Sequence, residues 1–336
     1  MIVDKEPVVS VCIPTYQHAA FIRQCLNSVL GQQTSFPFEI IIGEDDSTDG
    51  TREICMEYAR RYPETIRLFL RNEEEKIIIN GKKTGRYNII QNFREAKGKY
   101  IAMLDGDDYW CDNQKLQKQV DFLDAHPDHA ICFHRTLKNI GGIEDLAPSA
   151  FRKWNTPRTL TITDLAAGEY FILTCSCMFR NGMYEELPAW FWKIPFIDYA
   201  LHLWNAQYGK VGFLPDTMAF YRMHPESMWA TKSLSFRLKM MIDLLHFLVQ
   251  HFEGEVQVAL LQQQRKNYDK LLPFLLKENN KEVLLELVEK SRQYPNGFQE
   301  KWVMENWLNL HHKVQKFPSL NIGRLMRKAR QLTLGK

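Results

Sequence analysis

Residues 100–110 read YIAMLDGDDYW, a short apolar run that ends in a group of aspartates. The run Tyr100–Leu104 has the length and apolar character of a buried β-strand. Asp105 and Asp107, separated by Gly106, follow the strand directly. In open α/β sheets, ligands bind at the carboxyl ends of the strands. The stretch therefore predicts one strand of an α/β sheet with acidic side chains at its ligand-binding edge.

The residues around this stretch alternate between strand-like and helix-like segments. Apolar runs of strand length occur at Val8–Ile13, Glu39–Ile42, Ile66–Leu70, Ala130–Leu137, Ile172–Phe179 and Val211–Tyr221. Helical spacing of apolar residues occurs at His18–Leu30, Thr51–Tyr62, Tyr87–Ala96, Asn113–Ala125 and Ile197–Tyr208. We expect Pro14 to end the first strand. The alternation is typical of a mostly parallel α/β sheet with right-handed crossovers and flanking helices.

The pattern changes near residue 230, where strand signals end and long helical segments begin. These segments cover Leu234–Phe252, Glu255–Leu276, Glu282–Arg292 and Glu300–His311. We therefore expect an α/β domain over residues 1–230 and a helical C-terminal region over residues 231–336.

The composition is that of an ordinary globular protein, with 45% hydrophobic and 25% charged residues and a formal net charge of +3. These values exclude an intrinsically disordered chain and give no reason to expect nucleic acid as a partner. Seven basic residues and no acidic one lie in the tail 313–336. This basic tail predicts either peripheral contact with anionic lipid at the inner membrane surface or a solvated terminus, and the second reading is slightly favoured.

The seven cysteines are odd in number and show no C-x-x-C spacing, which argues against a zinc site and a disulfide framework. We expect reduced thiols, most of them in the core. The first residues, MIVDKEPVVSV, lack the pattern of a signal peptide. No apolar run reaches the roughly 18 residues that span a membrane. The expected location is therefore the cytoplasm.

A second acidic segment follows the predicted strand Glu39–Ile42 and includes Glu44, Asp45 and Asp46. Carboxylates gathered at one edge of a sheet repel one another, so they commonly bind a cation. Oxygen ligands favour Mg²⁺ or Mn²⁺, which bridge protein carboxylates and substrate phosphates. His224, after the last predicted strand, suits Mn²⁺ as an imidazole ligand, although a single histidine in a loop is more often a solvated side chain.

Five motifs, taken together and in order, resemble the family 2 inverting glycosyltransferases of the GT-A fold. They are Val9–Tyr16, Glu44–Thr51, Leu104–Trp110, Ile197–Tyr199 and Tyr221–Pro225. The resemblance covers about residues 7–230. It implies Mn²⁺ or Mg²⁺ as cofactor and transfer of a sugar from a nucleotide-diphosphate donor, with UDP expected, to a hydroxyl of a glycan or lipid-linked glycan. Bacterial polysaccharide synthesis is the setting that it suggests.

The resemblance also implies a site for the donor. Pro14, Thr15 and Tyr16 would line the pocket for the nucleotide base. Asp45 is similar to the aspartate that accepts a hydrogen bond from the uracil ring N–H, and Glu44 stands beside it in the donor site.

The metal site and the catalytic base come from the same resemblance. Asp105 and Asp107 resemble the D-x-D pair, in which Asp107 would bind the metal and Asp105 the ribose or the metal's waters. His224 is similar to the late histidine that completes the coordination, and Arg222 would steady the diphosphate. Asp198 resembles the general base, a role that suits a carboxylate because it is ionised near neutral pH. A helix cap is the alternative for Asp198, and both roles could coexist.

Three positions depart from the family pattern. Residues 44–45 are Glu-Asp where paired aspartates are usual, which leaves the base preference open. An Ile-Ile pair at 89–90 replaces an alanine-arginine-asparagine run, and Arg86 could supply the missing guanidinium to the donor from the same helix face. Ile197 stands where an acidic residue often precedes the catalytic aspartate.

Aromatic residues cluster around the proposed base and allow two interpretations. They are Trp190, Phe191, Trp192, Phe196, Tyr199 and Trp204. They could form a platform on which an acceptor sugar stacks, but their bulk favours core packing for most of them. Trp229, just past His224, is the better candidate for contact with substrate.

Two other functions stay open at the level of sequence. One is a nucleotide-sugar-binding module without turnover. The other is a phosphatase of the haloacid dehalogenase type, which also uses D-x-D after a strand. That motif normally closes the first strand and carries Thr or Val where this chain has Tyr109. A dinucleotide-binding dehydrogenase is disfavoured because no G-x-G-x-x-G follows the first strand.

Overall fold

The computed structural model describes residues 6–79, 81–140, 143–147, 154–168, 172–225 and 232–277. The chain divides into two compact units, Met1–Ser233 with Met240–Arg265, and Leu234–Lys239 with Lys266–Lys336. Residues 240–265 thus belong to the first unit, although the sequence places them in the helical region. The boundary near residue 230 stays a prediction, and the helices predicted after residue 280 lie outside the described residues.

The described elements follow the predicted alternation along most of the chain. The strands are β1 (Val9–Thr15), β2 (Phe38–Glu44), β3 (Ile66–Leu70), β4 (Ile77–Ile79), β5 (Lys82–Thr84), β6 (Tyr100–Met103), β7 (Tyr109–Trp110), β8 (His129–Ile140), β9 (Ile143–Ala147), β10 (Arg158–Leu160), β11 (Met178–Arg180) and β12 (Lys210–Tyr221). The helices are α1 (Ile22–Leu30), α2 (Thr51–Arg61), α3 (Arg86–Glu95), α4 (Lys115–Ala125), α5 (Ile162–Ala166), α6 (Asp198–Asn205), α7 (Leu234–Val249) and α8 (Gly254–Lys277).

Ten of the described strands form one sheet in the order β10–β12–β8–β11–β6–β1–β2–β3, with β7 added to β12 and β9 to β8. Strands β6, β1, β2 and β3 run parallel, with Val11 opposite both Ile40 and Ala102. Strand β11 runs antiparallel to β6 and β8, while β12 is parallel to β8. The predicted α/β class is confirmed, and the sheet is parallel in its first half and mixed in its second.

Strand β1 lies between β2 and β6 in the parallel half of the sheet, and its side chains are almost all buried. The prediction that Pro14 ends this strand is wrong, because β1 continues to Thr15. Pairing with β6 stops at Cys12 opposite Met103. Beyond that point the Pro14 carbonyl accepts from the N–H of Gly106 at 3.2 Å, in the turn after β6. A proline fits here because no neighbouring strand needs its missing N–H.

The sequence does not predict several short strands that lack an apolar run. Strands β4 and β5 form a separate antiparallel hairpin whose second strand begins with Lys82 and Lys83. Strand β7 has only two residues and pairs with β12, Trp110 lying opposite Ala219. Partners distant in sequence hold such strands, so local periodicity cannot reveal them.

The thiols of the first unit lie mostly in its core. All seven cysteines are free, and six of them are buried, with Cys111 exposed. Burial raises the pKa of the thiols of Cys55 and Cys177 to about 12, so both stay protonated at neutral pH. Across the described residues, no helix combines the length and the apolar character needed to cross a membrane.

A buried carboxylate joins three neighbouring elements of the sheet. Glu39 on β2 is 7% exposed, and its Oε1 accepts from Ser10 Oγ at 2.7 Å and from the N–H of Lys97 at 2.9 Å. Its Oε2 accepts from Nη1 of Arg67 on β3 at 3.0 Å. Arg67 also donates to a carboxylate oxygen of Glu95 at 2.6 Å. Removing Glu39 would therefore leave several inward-facing donors without their acceptor.

We expect Glu39→Ala to lower the free energy of unfolding by about 2–4 kcal/mol, because buried donors lose their partner while water reaches the partly exposed Arg67. Glu57→Ala removes an Arg–Glu pair whose two side chains are half exposed, and it serves as the matched control. The control should cost much less, since water replaces exposed ion pairs. Urea unfolding measures both variants, and equal losses would contradict the importance of the buried network.

Candidate active site

The acidic turn after β6 packs closely against the end of β1. A Cβ at position 106 would lie 2.4 Å from Oγ1 of Thr15 and 2.8 Å from Nδ1 of His18. Such separations are far below van der Waals contact, so only glycine fits between Asp105 and Asp107. The glycine thus allows the turn to approach β1.

One carboxylate oxygen of this turn faces two imidazoles. Oδ2 of Asp107 lies 3.1 Å from Nε2 of His224 and 3.9 Å from Nε2 of His18. Nδ1 of His18 is 3.2 Å from Oγ1 of Thr15, a contact that orients the ring. The structure brings Asp107 and His224 together across 117 residues. No sequence motif selects His18, although its place just after a central strand is a signal that could have identified it.

The chemical type of these side chains fits a divalent cation. Neighbouring ligands in an octahedral site with bonds of about 2.1 Å lie about 3 Å apart. The 3.1 Å between Asp107 Oδ2 and His224 Nε2 matches that spacing. Among the described residues, no group of three or more His, Cys, Asp or Glu side chains is arranged to hold a metal ion.

The ionised forms of the other two carboxylates of the turn are disfavoured by their surroundings. Burial, followed by the charge of Asp107, raises the pKa of both Asp105 and Asp108 well above the usual range. The backbone N–H of Arg222 donates to Oδ1 of Asp108 at 2.8 Å, which opposes the rise in the pKa of that carboxyl. The sequence alone predicts no role for Asp108. A turn with such raised pKa values favours a positively charged ligand.

Arg222, predicted to steady the diphosphate, contacts the acidic turn itself. Its Nε donates to the backbone carbonyl of Asp107 at 2.7 Å, and Nη2 donates to Oε1 of Gln24 at 2.9 Å. The guanidinium carbon lies 4.7 Å from the ring centre of Phe21. These contacts brace the turn from the side of α1, which is a role that the sequence does not predict.

The residues predicted to contact the base lie at the end of β1 and just after β1 and β2. Asp45 is buried, and its N–H donates to the carbonyl of Thr15 at 3.0 Å. Burial raises the pKa of Asp45 to about 6, against the opposing charge of Lys76. The ammonium of Lys76 lies 3.8 Å from the ring centre of Tyr16, which is 45% exposed. Lys76 thus interacts with two residues predicted to contact the base, and no sequence motif selects it.

Glu44, predicted as a donor contact, is bound within its own loop. The side chain is fully buried. Its Oε1 accepts from the N–H of Ser47 at 2.8 Å, and its Oε2 accepts from Nε of Arg52. Both carboxylate oxygens therefore hold the loop that leads into α2. Glu44 therefore stabilises this loop, and its predicted contact with the donor stays a prediction.

Asp198 is the first residue of α6 and is partly exposed. The capping position belongs to Ile197, and no side-chain cap hydrogen bond is made there, so the predicted cap role for Asp198 is wrong. Burial raises the pKa of Asp198, while the charge of Arg86 and a hydrogen bond from Thr174 oppose the rise. The charge of Asp198 also contributes to the raised pKa of Asp105. The two carboxylates therefore share one electrostatic environment.

Arg86, predicted to reach the donor, lies on the side of Asp198. The residue is 4% exposed. Its Nη1 donates to the carbonyl of Phe191 at 3.0 Å, and its Nη2 donates to the carbonyl of Ile194 at 2.9 Å. These bonds direct the two terminal nitrogens of Arg86 to the segment before α6, and its predicted contact with the donor stays a prediction.

Half of the aromatic cluster near Asp198 lies in the core. Phe191, Phe196 and Tyr199 are buried. The Tyr199 hydroxyl donates to the carbonyl of Leu165 at 2.7 Å, which anchors α6 to α5. The three tryptophans of the cluster are partly exposed, so core packing of most members stays a prediction. Trp229 and the basic tail lie outside the described residues.

Comparison of the sequence with known proteins identifies relatives along most of the first unit. The family model described as Glycosyl transferase family 2 matches residues 10–188. The uncharacterized protein Rv1520 of Mycobacterium tuberculosis is 35% identical over 248 residues, which cover 69% of this chain and 67% of the relative. The putative teichuronic acid biosynthesis glycosyltransferase TuaG of Bacillus subtilis is 37% identical over 119 residues. These residues cover 35% of this chain and 42% of TuaG.

Comparison of the structure gives the same fold at low sequence identity. TarS 1-349 of S. aureus in complex with UDP-GlcNAc has a TM-score of 0.55 and 18% identity, covering 77% of this chain and 72% of that one. The mannosyltransferase PcManGT of Pyrobaculum calidifontis in complex with GDP-Man and Mn²⁺ has a TM-score of 0.56 and 14% identity, covering 94% and 88%. These likenesses confirm the GT-A fold that the sequence resemblance implies.

Gly106→Ala should lower the free energy of unfolding by about 1–3 kcal/mol, because the new Cβ cannot fit between Thr15 and His18 without moving the turn. Gly31→Ala is the control, since its Cβ would meet only the carbonyl of Asn27, at 3.2 Å. Thermal and urea unfolding measure both variants. An unfolding free energy for Gly106→Ala no lower than that of the control would contradict the tight approach of turn and strand.

Proposed function

Since the chain belongs to glycosyl transferase family 2 and is a glycosyltransferase, we propose that it is a metal-dependent inverting enzyme with a nucleoside-diphosphate sugar, a UDP-sugar, as its donor. The acceptor is a hydroxyl group of a glycan or lipid-linked glycan. The observation that carries the proposal is the 3.1 Å contact of Asp107 with His224 at the same sheet edge as Asp105, whose charge interacts with that of Asp198.

The donor would occupy the region between the base pocket and the acidic turn. Asp45, Tyr16 and Thr15 surround the base, with the Asp45 carboxylate as acceptor for the ring N–H of uracil. Asp107 and His224 would hold Mn²⁺ or Mg²⁺ together with diphosphate oxygens. When bound, such a cation supplies charge stabilisation to the departing diphosphate.

Asp198 takes the proton in this proposal. The acceptor oxygen forms a bond to the anomeric carbon while the bond from that carbon to the diphosphate breaks, so the configuration inverts. The acceptor proton passes to the Asp198 carboxylate. The raised pKa of Asp198 makes it a stronger base than an exposed aspartate, and the Arg86 charge opposes that rise.

The sequence leaves two other functions open, a phosphatase and a nucleotide-sugar-binding module without turnover. Membership of a glycosyltransferase family removes the phosphatase reading. Loss of turnover in a binding module would leave Asp107, His224 and Asp198 without a shared task, so their arrangement favours an active enzyme.

The relatives support a proposal for the biological product of the reaction and for its location in the cell. TuaG is named for teichuronic acid biosynthesis, which supports a bacterial surface polysaccharide as the product. The proposal includes a reaction in the cytoplasm, with the basic tail either contacting the inner membrane surface or remaining solvated.

Asp198→Asn should bind UDP normally in the presence of Mn²⁺ and lose sugar transfer by a factor of about 10² or more, because the amide cannot accept the acceptor proton. Calorimetry measures UDP binding, and a screen of nucleotide sugars with the wild-type chain first identifies the donor by metal-dependent hydrolysis. Full transfer by Asp198→Asn would remove this residue as the base, and hydrolysis of no nucleotide sugar by the wild-type chain would oppose the donor assignment.

A further inference from the structure

A charged side chain at the start of α3 is buried where its charge is costly. Arg86 is the first residue of that helix, and the positive end of a helix dipole disfavours a cation there. Burial adds a desolvation cost and lowers the pKa of Arg86 to about 10, so the guanidinium is still protonated at neutral pH. The interactions of Arg86 must offset both costs.

The partners of Arg86 lie immediately before α6. The carbonyls of Phe191 and Ile194 accept from its two terminal nitrogens. Phe191 belongs to the 3₁₀ turn Ala189–Trp192, and the chain reaches Asp198 four residues after Ile194. The planar fork of arginine thus ties the approach to α6 to the first turn of α3.

The charge of Arg86 also acts on Asp198 directly. Among the groups that influence the Asp198 carboxyl, Arg86 and a hydrogen bond from Thr174 lower its pKa against burial. The negative charge of Asp198 in turn helps to raise the pKa of the Asp105 carboxyl and the pKa of the Cys177 thiol. Arg86 is the cation in this set.

The residue before Arg86 faces the donor pocket. A Cβ on Gly85 would lie 3.6 Å from Oδ2 of Asp45. The first turn of α3 therefore contacts the base pocket through Gly85 and the approach to α6 through Arg86. The guanidinium itself contacts the approach to α6.

We propose that Arg86 is a positioning residue that holds Asp198 in place for proton removal by tethering residues 191–194 and by countering the Asp198 charge. The inference rests on the proposed function, since it assumes that Asp198 is the base. It assigns Arg86 to the acceptor half of the reaction and not to donor binding.

A double-mutant cycle tests this assignment with the full chain. Arg86→Gln should lower kcat by about ten- to a hundredfold while UDP affinity with Mn²⁺ stays within about twofold, because only the base is displaced. Added to Asp198→Asn, the same change should cost less than about twofold more, since two residues that act as a unit are not additive. Arg86→Lys keeps the charge and should retain more activity than Arg86→Gln.

The controls separate this role from simple destabilisation. Arg60→Gln alters an exposed arginine on α2, whose Nε donates to the carbonyl of Met56 at 3.2 Å, and should leave kcat unchanged. Losses from Arg86→Gln and Asp198→Asn that multiply, or a loss of UDP affinity in place of kcat, would overturn the inference. If Arg86→Gln does not fold, the cycle with Arg86→Lys decides by the same criteria. Full transfer by Asp198→Asn alone would instead count against the proposed base.

Discussion

The close packing of the acidic turn on the end of β1 is the contact on which the candidate site depends. Gly106 lies against Thr15 and His18 with no space for a Cβ. This approach leaves the Asp107 carboxylate beside the His224 ring, and the carbonyl of Asp107 accepts from Arg222. The order of the parallel strands places β6 next to β1, so the turn after one strand meets the loop after the other. The order of the strands thus determines where the site lies, and the individual side chains determine its chemistry.

The electrostatics of the site supports the proposed cation at the acidic turn. Arg86 opposes the rise in the pKa of Asp198, and Lys76 opposes the rise in the pKa of Asp45. At Asp105, burial and neighbouring carboxylates all raise the pKa together. At the acidic turn, Arg222 donates to the carbonyl of Asp107, and its charge opposes the rise in the pKa of Asp108. In the proposed reaction, a divalent cation would add further positive charge and stabilise both the carboxylates and the phosphate oxygens.

Local patterns in the sequence predict the parts of the fold that bury long apolar runs. Strands β1, β2, β3 and β6 and helices α2 and α4 occur close to their predicted bounds, and so do the acidic turn and Asp198. Features that depend on distant partners are not predictable in this way. Pro14 stays within β1 because β6 has already ended, and the role of Arg86 depends on carbonyls more than 100 residues away. Glu44 and His18 show the same limit, since an acidic or imidazole side chain near a strand end can serve either the loop or the ligand.

Binding of Mn²⁺ to the full chain, followed by electron paramagnetic resonance, tests the cation site at Asp107 most directly. In the presence of UDP, the signal of free Mn²⁺ should fall as the wild-type chain is added. Asp107→Asn should weaken that binding by about tenfold or more, because one ligand loses its charge. Asp121→Asn, which changes an exposed carboxylate on α4, should bind Mn²⁺ like the wild type. Undiminished Mn²⁺ binding by Asp107→Asn would contradict the cation site and the metal-dependent reaction built on it.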